Sequence, residues 1–307
     1  MMDVANTRPA GKARLRLFVG IATAGRSEIL SETLRELAHQ TLLPDRVLIC
    51  PTKPEDFDAA VLAQLPYNTE IVSGGVGLPR QRNAIIRKSG DCDAIVFFDD
   101  DFFPFPGYLA NSEALLIDKP EVILATGRLL EDGIHGPGLS PAYARDLLAR
   151  TPPPPPVGAL RDYYGVYGCN MLVRLDAVRR NNLSFDEALP LYAWQEDIDF
   201  SRQMAPHGRI VRADALSGIH LGVKGARTSG VKFGYSQIAN PTYLIRKGTM
   251  SFRFGLRHMT RNLLSNFARA LRPEPHVDRL GRCKGNMRAL LDLVTGRLHP
   301  GRILELD

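Results

Sequence analysis

The chain has 307 residues, 44% of them apolar and 23% charged, the composition of a globular protein with one large domain, alone or with an appendage. Its four cysteines, Cys50, Cys92, Cys169 and Cys283, are too dispersed for a zinc site or a disulfide framework, and no apolar run reaches the ~18 residues of a membrane span. The net charge of +6 gathers from Met250 onward, which favours phosphate-bearing or anionic-membrane contacts.

Residues 1–14 read as a disordered lead with no secretory apolar segment, so a cytoplasmic protein is expected, at most peripheral on the inner membrane. A first strand is predicted over 17–22, a turn over 23–26, and a helix N-capped by Ser27 in which Ile29, Leu30, Leu34 and Leu37 recur at helical spacing. Further strands are predicted over 46–50 and 70–73, with a short helix over 57–65 between them. Pro79 opens a helix over 79–89. Ala94-Ile95-Val96-Phe97-Phe98 then reads as a strand buried on both faces. This alternation argues for right-handed β-α-β units and a parallel sheet. A helix over 108–117 and a strand over 122–125 follow. Residues 128–162, with five prolines at 152–156, read as a stiff surface excursion. Strands are predicted over 168–174, 209–213 and 217–221, a helix over 196–204, a mobile Gly-rich segment over 222–234, and helices from Tyr235 to the end.

The strand over 94–98 stops at Asp99-Asp100-Asp101. Three carboxylates at a strand's carboxyl end repel one another unless a cation or strong donors sit there, and ligands bind at that edge of an open α/β sheet. An Asp-x-Asp pair suits a divalent metal holding a diphosphate. A second acidic group, Glu196-Asp197, opens a helix, where the dipole stabilises carboxylates; it serves either as a cap or as a general base. Trp194, the only tryptophan, offers a flat face to a sugar ring or fills the core.

The motif order resembles that of family 2 glycosyltransferases over roughly residues 15–225. The matching runs are Ile21-Ala22-Thr23-Ala24-Gly25-Arg26, Gly77-Leu78-Pro79-Arg80-Gln81-Arg82-Asn83, Asp99-Asp100-Asp101, Gly168-Cys169-Asn170-Met171 with Phe185-Asp186-Glu187, and Glu196-Asp197. The resemblance implies a GT-A-like α/β fold, a mixed, mainly parallel sheet flanked by helices. It implies transfer of a sugar, with inversion, from a nucleotide-sugar donor to an acceptor hydroxyl. Asp99 and Asp101 would hold Mg2+ or Mn2+, with His220 as a further ligand or a buried hydrogen-bonded residue. Asp197 would be the base. Thr23, Arg26, Thr52, Arg82, Asp99, Asp100, Asn170, Trp194, Glu196, Lys224 and Arg227 would contact the donor, Asp100 by facing the ribose, and Arg82 either reaches base or phosphate or forms a surface ion pair. One departure stands out. The acid expected after the second strand is replaced by Cys50-Pro51-Thr52, with Asp56 nearby.

In residues 252–272 apolar positions recur at three and four with arginines between them, a helix that either lies in a membrane interface or packs on the catalytic domain. The expected organisation is a catalytic domain over 15–234 and a helical extension over 235–307. The expected activity is transfer to a lipid-linked or saccharide acceptor in exopolysaccharide or capsule assembly. A nucleotidyltransferase and an inert nucleotide-sugar-binding homologue are the rivals. Nucleic acid is not expected as a partner, because it gives no role to two acidic groups.

Overall fold

A computed structural model describes residues 14–155, 158–225, 229–272 and 274–306; all but the last residue of the expected lead over 1–14, Pro156 and Arg227 lie outside the described residues. The chain begins with β1 (Leu17–Thr23), α1 (Ser27–Leu37), β2 (Arg46–Pro51), α2 (Ala59–Leu62), β3 (Thr69–Ile71), α3 (Leu78–Lys88) and β4 (Ala94–Asp99). It continues through β5 (Phe102–Pro104), α4 (Tyr108–Asp118), β6 (Val122–Asp132), α5 (Pro141–Arg150), β7 (Leu160–Asp162), β8 (Asn170–Arg174), α6 (Leu175–Arg180), α7 (Glu196–Met204) and β9 (Arg209–His220). Three long helices close it: α8 (Gly230–Lys247), α9 (Phe252–Ala270) and α10 (Arg279–Val294).

The strands form one sheet in the order β3-β2-β1-β4-β8-β6-β9-β5, with β7 pairing on β9. β1, β2, β3, β4, β6 and β9 run in one direction, and β5, β7 and β8 run against them. Apolar side chains cover both faces, as the unbroken apolar runs require. Val19, Ile21, Val47, Ile49, Val96 and Phe98 pack with Leu30, Leu34 and Leu109 on one side, and Phe18, Leu48, Ile95 and Phe97 pack with Ile85, Phe185 and Phe200 on the other.

This topology fixes where the polar residues go. Thr23, Asp99, Asp132 and His220 end β1, β4, β6 and β9, and Asn170 begins the oppositely directed β8, so all five stand on one edge of the sheet. Ligands bind at such an edge in open α/β folds.

Several boundaries differ from expectation. Arg26, not Ser27, is the N-cap of α1 and makes no side-chain cap bond, since a guanidinium has no acceptor for a helix N–H; it turns to Asp100 instead. The described residues between 128 and 162 hold more regular structure than the prolines predict. β6 runs on to Asp132, Ser140 caps α5 by accepting from the Tyr143 N–H, and β7 pairs with β9. The strands predicted over 209–213 and 217–221 are one strand, β9, whose pairing with β6 jumps from Ala213 to Ser217. Gly127 faces that bulge; a Cβ there would lie 2.0 Å from the Leu216 carbonyl oxygen. Helix α8 begins at Gly230, so the predicted mobile stretch over 222–234 ends in a helix.

Candidate active site

The triple aspartate divides its work. Asp100 turns inward: its carboxylate accepts from the Thr23 hydroxyl at 2.7 Å and from Arg26 Nη1 at 3.0 Å. Burial pushes its pKa up to about 7 against the opposing charge of Arg26. Asp101 is also buried, and Oδ2 accepts from the Val223 N–H at 2.8 Å. Burial works against its ionisation too, but His220, Arg26 and that N–H hold its pKa below the usual carboxylate range. Asp99 stands at the lip, a third exposed.

Asp99, Asp101 and His220 each offer a ligand atom, all within 4.8 Å of one another. His220 Nε2 lies 3.3 Å from Asp101 Oδ1 and 4.0 Å from Asp99 Oδ2. Ligands at ~2.1 Å from an octahedral cation are separated by ~3 Å when adjacent and ~4 Å when opposite, so these spacings suit a shared ion. Buried Asp101 Oδ1 makes no hydrogen bond among the described residues, which leaves a lone pair for a cation. The residues therefore fit a divalent metal. Behind them Asp132 Oδ1 lies 2.8 Å from His220 Nδ1, an arrangement that directs Nε2 toward the two aspartates. With no metal, burial disfavours the imidazolium, but the facing carboxylates of Asp101 and Asp132 outweigh this and raise its pKa to about 10.

Glu196 and Asp197 open α7 on the same edge. The chain reaches them through Leu191, Ala193 and Gln195, all at positive φ (58°, 50° and 72°), an uncommon backbone for side chains of this kind. Asp197 is half-buried and accepts from the Gly168 N–H at 2.9 Å and from the Ile198 N–H at 2.8 Å. Burial raises its pKa despite those bonds. Burial likewise raises the Glu196 pKa, to about 8.

Arg82 joins the two acidic groups. It is 2% exposed, ion-paired with Glu196, 3.3 Å from Asp99 Oδ1, and donates to the Gly168 carbonyl at 2.8 Å. The rings of Phe97 and Phe185 flank its guanidinium at 5.6 and 5.5 Å. Arg82 is therefore not the surface ion pair of one expectation but a buried group between the two acidic clusters. Gly168 permits the approach, since a Cβ there would lie 3.2 Å from both Arg82 terminal nitrogens.

The other expected contacts are scattered around this centre. The Thr52 hydroxyl donates to Asp56, whose buried carboxylate also accepts from the N–H groups of Gly25, Thr52 and Lys53. Asp56 thus ties the ends of β1 and β2 together, and Thr52 is part of that clamp. Asn170 Oδ1 accepts from Thr126 and the Gly127 N–H, while its buried Nδ2 makes no hydrogen bond among the described residues. Trp194 is half-buried, edge-on to Phe233 and near His258. Lys224 Nζ donates to the carbonyls of Gly133 and Ile134. Sequence reasoning missed Asp132, whose only local signal is the Glu131-Asp132 pair inside a Gly-rich run.

No family model matches the chain, and no curated protein matches it in sequence. Solved structures do match in three dimensions. Residues 1–349 of Staphylococcus aureus TarS in complex with UDP-GlcNAc align at 15% identity and a TM-score of 0.55 over 95% of this chain and 84% of that one. The mannosyltransferase PcManGT of Pyrobaculum calidifontis, in complex with GDP-Man and Mn2+, aligns at 14% identity and a TM-score of 0.54 over 95% and 86%. GalNAc-T7, solved with UDP, GalNAc and Mn2+, aligns at 10% identity and a TM-score of 0.54. This chain spans 57% of that chain and 40% of a longer TarS structure. With its sheet order, its flanking helices and these neighbours, the chain has the GT-A-like fold of nucleotide-sugar glycosyltransferases.

Proposed function

We propose that the protein is a metal-dependent, inverting glycosyltransferase that moves a sugar from a nucleotide-sugar donor, most simply UDP-linked, to an acceptor hydroxyl. The observation that carries this reading is the meeting of two acidic groups on one sheet edge, with Arg82 between Asp99 and Glu196.

Asp99, Asp101 and His220 would hold Mg2+ or Mn2+, and the bound cation supplies Lewis-acid stabilisation of charge on the departing nucleoside diphosphate. Thr23, Arg26 and Asp100 belong to the nucleotide side of the site, with Lys224 from the segment after β9. Thr52 and Arg82 act there indirectly, by fixing the β1–β2 turn and the acids. Asn170, Trp194 and Glu196 border the sugar.

Asp197 takes the acceptor's proton. Two backbone N–H groups fix its orientation, and each of its oxygens keeps a lone pair for the acceptor hydroxyl. Its raised pKa makes it a stronger base than a surface aspartate. One base and one displacement give inversion without a covalent intermediate.

Residues 15–234 are read as the catalytic part and 235–307 as its extension. We assign the acceptor as a lipid-linked saccharide in exopolysaccharide or capsule assembly, met at the cytoplasmic face of the inner membrane through residues 252–272. Incubation with a panel of nucleotide sugars tests the activity. Slow, metal-dependent hydrolysis of one donor is expected, and no turnover of any donor with either metal would contradict it.

A further inference from the structure

Large apolar side chains are exposed unevenly along the chain. Among the described residues sixteen are exposed, and eleven of these lie in the last three helices and the segments around them. On α9 only Gly255 and Asn266 are fully buried; Phe254, Met259 and Leu263 are half-buried against the rest of the protein, and the opposite side of the helix is exposed. Its exposed Phe252, Leu256, Leu264, Phe267 and Leu271 fall within an arc of ~120° at 100° per residue. Exposed Arg253 lies within that arc, and exposed Arg257, Arg261 and Arg272 follow beyond one edge of it. Residues 252–272 contain five arginines and no Asp or Glu.

Helix α10 repeats the pattern. Leu280, Met287, Leu291 and Val294 form an exposed stripe, bordered by exposed Lys284 and Arg288. The helix's one acid, Asp292, is buried and bound by Tyr235 and Arg302. Beneath both helices the packing is specific rather than loose. Asn266, Gln237, Asn286 and Arg279 share a buried hydrogen-bond network that ties α8, α9 and α10 together. The outward faces are thus held rigidly while carrying apolar groups that find no cover among the described residues.

We infer that the outer faces of α9 and α10 together form a docking surface for an anionic lipid bilayer. Apolar side chains would enter the acyl boundary while the flanking arginines meet lipid phosphates. A second copy is a poor occupant, because a two-fold contact across this face brings arginines against arginines with no carboxylate between them. The surface extends the membrane contact proposed for 252–272 and stands apart from the transfer chemistry, so either can fail alone. It also lies beside the site: His258 of α9 packs near Trp194, two residues before Glu196. A bilayer on this face would bring a lipid-borne acceptor toward the catalytic acids.

Flotation of the full chain with phosphatidylcholine vesicles, with or without about 30% phosphatidylglycerol, tests this at about 0.1 M and 1 M salt, where the screening length falls from about 10 to 3 Å. Flotation only with anionic vesicles, reversed by salt, is expected. Replacing Arg253, Arg257 and Arg261 together by Gln should weaken partition about a hundredfold. Leu264→Glu with Phe267→Glu should abolish it. Thermal melts and nucleotide protection report whether the variants fold and keep the catalytic site. Failure of the wild type to float at low salt would overturn the inference, as would equal flotation with neutral vesicles. So would a concentration-dependent dimer, dissolved by the Leu264/Phe267 pair, in a protein that does not float.

Discussion

Asp132 and His220 are directly paired residues of β6 and β9, and Asp132 Oδ1 lies 2.8 Å from His220 Nδ1. The pair sets which imidazole nitrogen faces Asp99 and Asp101. Asp132→Leu should weaken Mn2+ binding about 10- to 100-fold, the usual effect of losing such a partner. Asp132→Asn keeps an acceptor oxygen and should recover most of the affinity. Electron paramagnetic resonance titration of free Mn2+ reads both; equal loss in the two variants would indicate general damage instead.

The same histidine makes metal binding depend on pH. In the metal-free protein its pKa is raised to about 10, so a proton must leave before Nε2 can ligate. Protons compete with the metal at lower pH, and apparent affinity should rise up to about tenfold per pH unit between pH 6.5 and 8.5. The stability linkage has the matching sign. His220 contributes stability to the metal-free protein fully below its unfolded pKa near 6.5, and that contribution is lost as pH rises through about 10. Isothermal titration with Mg2+ at several pH values checks the first statement, and denaturation with chelator checks the second.

Arg82 is the chief structural risk in the site. Removing one partner of a buried ion pair typically costs about 3–5 kcal/mol, because a charge is left without compensation. Arg82→Met should approach that loss in urea denaturation. Arg82→Met with Glu196→Gln should recover part of it, since no buried carboxylate is then stranded.

Gly127 tests the bulge that positions the end of β9. Its Cβ would meet a backbone oxygen rather than a flexible side chain. Gly127→Ala should therefore destabilise the protein by about 1–3 kcal/mol, and more than Gly136→Ala, where a Cβ meets nothing within 4 Å.

Much of the fold is legible in local sequence because its strands are unbroken apolar runs between turn residues. Ala94–Asp99 and its acids are the clearest case, since an abrupt change from Phe98 to three aspartates marks both a strand end and a site. Helix α5 has a readable start, Ser140 followed by Pro141, but the proline run after it points locally to a stiff surface excursion. Arg82 was less accessible. Its burial depends on Phe97, Phe185 and Glu196, brought in from distant strands and loops, and an arginine on an amphipathic helix gives no local sign of that. Asp132 depends in the same way on the register between β6 and β9.

The central claim is one site with two separable carboxylate functions, cation binding at Asp101 and proton removal at Asp197. Thermal melts with UDP and Mn2+, run beside a transfer assay with the donor that the panel identifies, test it most directly. A ligand at about 100 times its Kd adds about 2.7 kcal/mol of stability, several degrees in Tm. Asp101→Ala should lose the metal-dependent protection, whereas Asp197→Asn should keep it and lose transfer. Unchanged protection in Asp101→Ala, or near-wild-type turnover in Asp197→Asn, would contradict the account.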